Sequence, residues 1–250
     1  MYSLGLPVSN LDKRRQRLDK FRAQYKSADA IPYFVGVWDT VAALGWTHFT
    51  LSTLRRKLPI PFLSFEYDMH FVGDVPFARH AMAIDEYRRD FVRVPWGGSG
   101  TVSDGDINGV TRFAQVWFAG NHSDIGGSYP ENESRLSDIS LEWMTKFISE
   151  EIPDSQARIL INPEFLHLYP SCEGMMHDEL MVGHGPDHSI HFWAAGERKV
   201  DPGGELHRAV LDRLALPSVR NYVGYGPYRP KSLADHPKAK PFYQVIPDQK

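Results

Sequence analysis

Phe118-Ala-Gly-Asn-His-Ser-Asp-Ile-Gly-Gly-Ser-Tyr129 gathers a His, a Ser, an Asp and paired glycines directly behind the apolar run Phe113 to Phe118. The run has the length and aromatic content of a strand, and Gly126-Gly127 permits a sharp backbone turn. A strand that delivers His122 to the carboxyl edge of a sheet puts it where open α/β sheets keep their sites. Beyond the turn, Ser137 is expected to cap a helix whose apolar residues Ile139, Trp143, Phe147 and Ile148 face a core until Pro153 ends it. Strand, loop and helix in that order favour a mostly parallel sheet.

Upstream, Pro32 opens Tyr33-Phe-Val-Gly-Val-Trp38, an almost unbroken apolar run that reads as a strand covered on both faces. Asp39 follows it and either caps the next turn or orients a histidine. Prolines 59 and 61 mark a connecting segment. Asp74 and Pro76 then predict a second helix through Phe77, Ala81, Met82, Ile84 and Tyr87 to about Phe91, with His80, Asp85, Glu86, Arg88 and Arg89 in ion pairs at helical spacing. Trp96 to Asn108, rich in Gly, Ser and Asp, reads as a surface loop. Its Gly97-Gly-Ser-Gly100 has neither a preceding strand nor a following Lys-Ser/Thr, so it is not read as a phosphate cradle.

At the amino end, Ser9 or Asn10 caps a basic helix with Leu11, Leu18, Phe21 and Tyr25 on one stripe, read as a solvated amphipathic helix rather than a lipid-headgroup face. Downstream, His167, His177, His184, His188, His191 and His207 lie among Gly and Pro and read as loop histidines. Only His184, His188 and His191 approach zinc spacing, with no acidic base or cysteine partner at diagnostic spacing. Leu206 to Leu214 predicts a short closing helix, and Tyr222 to Lys250 an extended tail on the surface or disordered.

The 250 residues suffice for one sizeable core, with 42% hydrophobic and 12% aromatic content. One main domain is expected over 31–230, with the basic helix in 1–30 and the tail in 231–250. A net charge of -3 gives no reason to expect nucleic acid as a partner. Cys172 is the single cysteine, so no internal disulfide is expected. The amino end lacks signal-peptide features, and no run reaches the roughly 18 apolar residues of a membrane span. The chain is therefore expected to be cytoplasmic as synthesised, with secretion open only to a signal-independent route.

Four stretches carry a resemblance: Gly36-Val-Trp-Asp-Thr-Val41, His80-Ala-Met-Ala-Ile-Asp-Glu-Tyr-Arg-Arg-Asp-Phe91, Val116 to Tyr129 with Ser128 where a third glycine is usual, and Leu206 to Leu214. Together, in this order, they resemble the catalytic domain of the type VI secretion lipase effectors, from about Ile31 to about Arg229. The resemblance implies an α/β-hydrolase-like fold, a mostly parallel sheet with packing helices, and ester hydrolysis on phospholipids or similar lipids without cofactor or metal. It implies His122 as general base, Asp39 as the acid that orients it, and Asp124 as the alternative acid, with Gly120, Ser123, Gly126 and Gly127 shaping the site. The order of acid before base agrees with that of α/β-hydrolases.

The family's nucleophilic serine sits in a Gly-x-Ser-x-Gly elbow upstream of the Asp39 motif, behind a strand with an Asp-Gly-Thr motif. Neither motif occurs in these residues. Ser3 lacks the first glycine of an elbow, and Ser128 lies inside the histidine motif, so neither is taken as nucleophile. The expected fold thus lacks the hydrolase's N-terminal strands. The first expectation is the carboxyl-terminal part of a lipase-type hydrolase, inactive alone and completed by an upstream-encoded chain carrying the elbow. The second is a non-catalytic homologue acting as an interaction or immunity partner. A third is a metal-dependent hydrolase using His122, Asp124 and a carboxyl-terminal histidine.

Overall fold

The computed structural model describes residues 11–25, 32–41, 75–89, 91–93, 96, 105–180 and 193–244. In chain order these form helix α1 (Leu11–Tyr25), strands β1 (Phe34–Trp38) and β2 (Phe77–Ala83), a small hairpin of β3 (Asp106–Ile107) and β4 (Val110–Thr111), and strand β5 (Phe113–Phe118). Then come the short helix α2 (His122–Gly126), helix α3 (Arg135–Lys146), β6 (Glu205–Leu206), α4 (Arg208–Ala215), and a second hairpin of β7 (Val219–Asn221) and β8 (Gly224–Gly226).

The central sheet runs β1-β2-β5-β6 with every neighbouring pair parallel, the α/β architecture expected from the sequence. Trp38 lies opposite Ala81, and Ala83 opposite Phe118. Parallel register brings the carboxyl ends of three strands to one edge, where backbone bonds join them. Asp39 N–H donates to Ala81 O at 2.7 Å, and Asp85 N–H donates to Gly120 O at 3.0 Å.

Strand β2 replaces the helix expected over Phe77 to Phe91. All seven of its residues are buried. A strand covered on both faces loses its period-two alternation, and apolar residues at 77, 81, 82 and 84 then imitate helical spacing. Its polar members bond in place, although the buried His80 Nδ1 has no partner among the described residues. Arg79 donates to Ala78 O at 2.9 Å and Arg112 O at 3.1 Å, and its guanidinium lies 3.5 Å from the Phe147 ring centroid. His80 Nε2 accepts from Thr40 N–H at 3.1 Å, and burial pushes the imidazole pKa down to about 4, so it is neutral. The expected cap Asp74 lies outside the described residues, as do residues 97–104 of the Gly-rich loop. At the end of that loop Asn108 and Gly109, with φ of 52° and 77°, make the two-residue turn of the β3–β4 hairpin.

Helix α3 begins earlier than the expected cap. Ser134 holds the cap position, while Ser137 sits in the first turn with its hydroxyl donating to Ser134 O at 2.8 Å. Ser140 Oγ donates to Ile125 O at 2.7 Å and fastens α3 to α2. Strand β6 takes Leu206, the first residue of the expected closing helix, and His207 caps α4. The expected surface tail is folded instead: Tyr228, Leu233, His236 and Ala239 are buried, and three of them join the main apolar core with Trp117, Ile125, Leu136, Val210 and Leu214. Burying one such leucine is worth roughly 1.5–3 kcal/mol. No helix among the described residues is long and apolar enough to cross a membrane.

Candidate active site

The loop from β5 into α2 is built by capping chemistry. The Asn121 side chain accepts from Ser123 N–H and Asp124 N–H, both at 2.8 Å, while Asp124 accepts from Asn121 N–H at 3.1 Å. This reciprocal capping box fixes where the first helical residue, His122, stands. Two carboxylates from the end of β2 hold the loop from below. Asp85 accepts from Gly120 N–H at 2.8 Å, and Glu86 accepts from His122 N–H at 3.2 Å. Tyr228 and Tyr87 also donate to Asp85, at 2.7 and 3.2 Å; burial nevertheless pushes the Asp85 carboxyl up to about 6.

Gly120 has φ of +122°, and a Cβ there would lie 2.5 Å from the Asp124 Cβ. Gly120→Ala is expected to cost about 2–3 kcal/mol, since backbone strain and a core clash add, measurable as a lowered urea midpoint. Gly127, with φ of 77°, makes the turn that closes α2, whereas a Cβ at Gly126 would meet no atom within 4 Å. Ser123 occupies the first turn of α2, and its carbonyl accepts from Gly127 N–H at 2.9 Å.

Asp39 lies fully buried at the end of β1, in the left-handed region with φ of 41°. Its Oδ2 is 2.8 Å from His122 Nδ1, and its Oδ1 accepts from Ala83 N–H at 2.9 Å. Arg198 donates to both carboxylate oxygens, NH2 reaching Oδ2 at 2.9 Å and NH1 reaching Oδ1. Burial alone would raise the Asp39 pKa; the bonds from His122 and Arg198, the Arg198 charge and the Ala83 N–H outweigh it and hold the pKa at about 2. An ionised carboxylate only accepts, so Nδ1 carries a proton and the neutral imidazole has its lone pair on Nε2. Among the described residues nothing hydrogen-bonds Nε2, and the His122 side chain keeps 32% of its exposure. Phe91 stands edge-on to the ring at 5.4 Å.

Asp124 faces elsewhere. Its Oδ1 lies 2.7 Å from Nδ1 of His177, which approaches Glu133 through Nε2 at 3.2 Å. Tyr129 stacks on the His177 ring at 3.6 Å and donates to Glu179 at 2.5 Å. The geometry therefore brings Asp39, not Asp124, to His122. Ser128 is exposed, and among the described residues no serine hydroxyl bonds His122. Ser3, His184, His188 and His191 lie outside the described residues. His177 and Arg198 come from irregular segments, and nothing in their local sequence marks them.

Burial alone would lower the His177 pKa, but the bonds and charges of Asp124 and then Glu133 raise it above 6.5. The folded state thus holds its proton more tightly than the unfolded chain. This stabilisation is fully present below 6.5 and is lost as pH rises through the folded pKa. Urea midpoints measured across that rise are expected to fall in the wild type, and His177→Gln is expected to flatten that part of the profile.

A family model described as "T6SS, Phospholipase effector Tle1-like, catalytic domain" matches residues 7–147, more than half of the chain. The matched stretch contains Asp39 and His122; Arg198 and His177 lie beyond it. No curated protein and no solved structure gives a significant match.

Proposed function

Because the chain belongs to the catalytic-domain family of Tle1-like type VI secretion phospholipase effectors, we propose that Asp39 and His122 are the acid and general base of a serine-type hydrolase acting on phospholipid esters. The nucleophilic serine comes from a Gly-x-Ser-x-Gly segment outside these 250 residues. The observation that carries this reading is the 2.8 Å contact of His122 Nδ1 with an ionised, buried Asp39, which leaves Nε2 as the basic nitrogen.

In that role Nε2 takes the serine proton as the serine oxygen adds to the ester carbonyl carbon. The imidazolium passes this proton to the departing alcohol oxygen, and repetition with water releases the fatty acid and restores the serine. Asp39 keeps its charge throughout. It orients the ring and stabilises the imidazolium, and Arg198 holds the carboxylate in place.

The sheet's geometry is compatible with completion by a further segment. All five β1 residues are only half-buried, and Asp39 sits at the carboxyl edge where a strand-borne serine would arrive. Two observations test the proposal. The DNA directly upstream should encode the elbow, and this chain alone should release no fatty acid from phospholipid vesicles. A locus without the elbow, or turnover by the isolated chain, overturns it. A joined protein that folds yet stays inert would instead favour a non-catalytic interaction role.

A further inference from the structure

We propose that the cavity beside the Asp39–His122 pair is a subsite for the phosphodiester of a lipid headgroup. The lipid part of this assignment rests on the hydrolase reading above, whereas the anion part rests on the cavity itself. The cavity has a volume of about 260 Å³. That is below the roughly 300 Å³ at which pockets begin to enclose drug-sized ligands, so it suits a headgroup better than a whole lipid.

Its charge is unbalanced. Arg88, Arg89, Arg93, Arg198 and Lys199 line it, against the carboxylates of Glu86 and Glu197. Two of the cations are already spoken for. Glu86 accepts from Arg88 at 2.8 and 2.7 Å, and Asp39 takes Arg198. Glu197 is engaged by Lys231 at 3.5 Å. Arg89, Arg93 and Lys199 have no carboxylate ion pair among the described residues.

Arg93 is the most telling of the three. Its contact to Gln115 Oε1 at 3.5 Å is at the outer limit of hydrogen bonding, its other acceptor is the weak thioether Met82 Sδ at 3.5 Å, and it lies 5.2 Å from the Trp117 ring centroid. Burial lowers its pKa, as does the like charge of Arg198, against the opposing charges of Asp201 and Asp39. A half-buried guanidinium held near another cation gains from an anion placed between them, and such charge-assisted bonds are the strong kind.

The cavity is continuous with the hydrolytic pair through two side chains. Arg198 lines it and grips Asp39, while Phe91 lines it and touches the His122 ring. Phe91 also meets Trp193 edge-on at 5.5 Å, and Val92 is 55% exposed, giving the cationic cavity an apolar side. A phosphodiester flanked by glycerol and acyl carbon matches that pairing. A free phosphate has no use for it.

Calorimetry on the full chain with glycerophosphoglycerol and with inorganic phosphate separates the two sources. Flotation with vesicles of phosphatidylglycerol, or of a galactolipid bearing the same acyl chains, adds the lipid. The expected result is saturable binding of the soluble diester in preference to inorganic phosphate, and capture by phosphatidylglycerol but not galactolipid vesicles. Arg93→Gln and Lys199→Gln should each weaken diester binding about tenfold, as loss of one charge-assisted hydrogen bond does. Arg208→Gln on α4, whose partner is Asp212, should leave it unchanged. Lys199 is exposed, so its variant reports binding even if Arg93→Gln unfolds; Arg93→Lys should recover part of the affinity. Equal binding of inorganic phosphate, equal capture by galactolipid, or unchanged affinity in Lys199→Gln overturns the subsite. Diester binding that follows these variants in a completed protein without esterase activity would keep the subsite and overturn the hydrolase reading.

Discussion

Asp39→Asn is expected to produce the largest loss of any single isosteric change, in stability and in activity together. The side chain is fully buried, and Arg198, whose own side chain is 8% exposed, gives it both terminal nitrogens. Removing one partner of such a pair strands the other charge and costs about 3–5 kcal/mol, or roughly 6–20 °C in Tm for a chain of this size. The pH dependence has a definite sign. Asp39 is lowered from 3.8 to about 2 on folding, so its contribution is complete above 3.8 and disappears as pH falls through about 2. The amount lost over that window is on the order of 2 kcal/mol. Scanning calorimetry of wild type and Asp39→Asn should show this acid-side decline only in the wild type. In a protein completed with the serine segment, the amide also ceases to enforce the Nε2-basic tautomer, and kcat should fall by about 10³–10⁴.

Arg213→Met is expected to come next, by a purely structural route. Arg213 lies on α4 with no exposed surface and donates to Cys172 O at 2.5 Å, Gly174 O at 2.9 Å and Arg220 O at 3.0 Å. It also packs 5.2 Å from the Tyr228 ring centroid. One guanidinium thus ties α4 to the 172–174 turn and to β7. Methionine keeps most of the volume but leaves Cys172 O and Gly174 O without their donor, each worth about 1–3 kcal/mol when buried and unsatisfied, while Arg220 O keeps Met176 N–H at 3.4 Å. A loss of about 4 kcal/mol in urea unfolding is expected, with cleavage by a glutamate-specific protease at Glu173 or Glu179 appearing before global unfolding. A loss below about 1 kcal/mol would show that water replaces the guanidinium at these carbonyls.

How much of this was legible before the structure depended on whether the signal was local. The runs Phe34–Trp38 and Phe113–Phe118 read as strands because their aromatic and β-branched content suits buried parallel strands. Phe77–Ala83 failed for the related reason that burial on both faces erases alternation; its length and the following Asp85-Glu86 were better guides than its spacing. Asn108-Gly109 was a hairpin signal hidden in a Gly-rich stretch. The carboxyl-terminal residues looked too polar for a core, yet Leu233 and Ala239 are fully buried because a few apolar side chains placed between turns suffice.

The candidate site divides in the same way. The position of His122 follows from a strand, a capping asparagine and glycines that all lie within a dozen residues. Its contact with Asp39 spans 83 positions, and that of Arg198 with Asp39 spans 159. No periodicity or local motif carries information over such separations. Asp124 stood as the alternative acid from sequence; its capture by His177, 53 positions away, is a product of the fold alone.

The most direct measurement is fatty-acid release from phospholipid vesicles by the chain joined to its upstream-encoded Gly-x-Ser-x-Gly segment, compared with the same protein carrying His122→Ala. The expected result is release by the joined wild type and none above background with His122→Ala. Undiminished release in the His122→Ala protein would contradict the assignment of His122 as the general base.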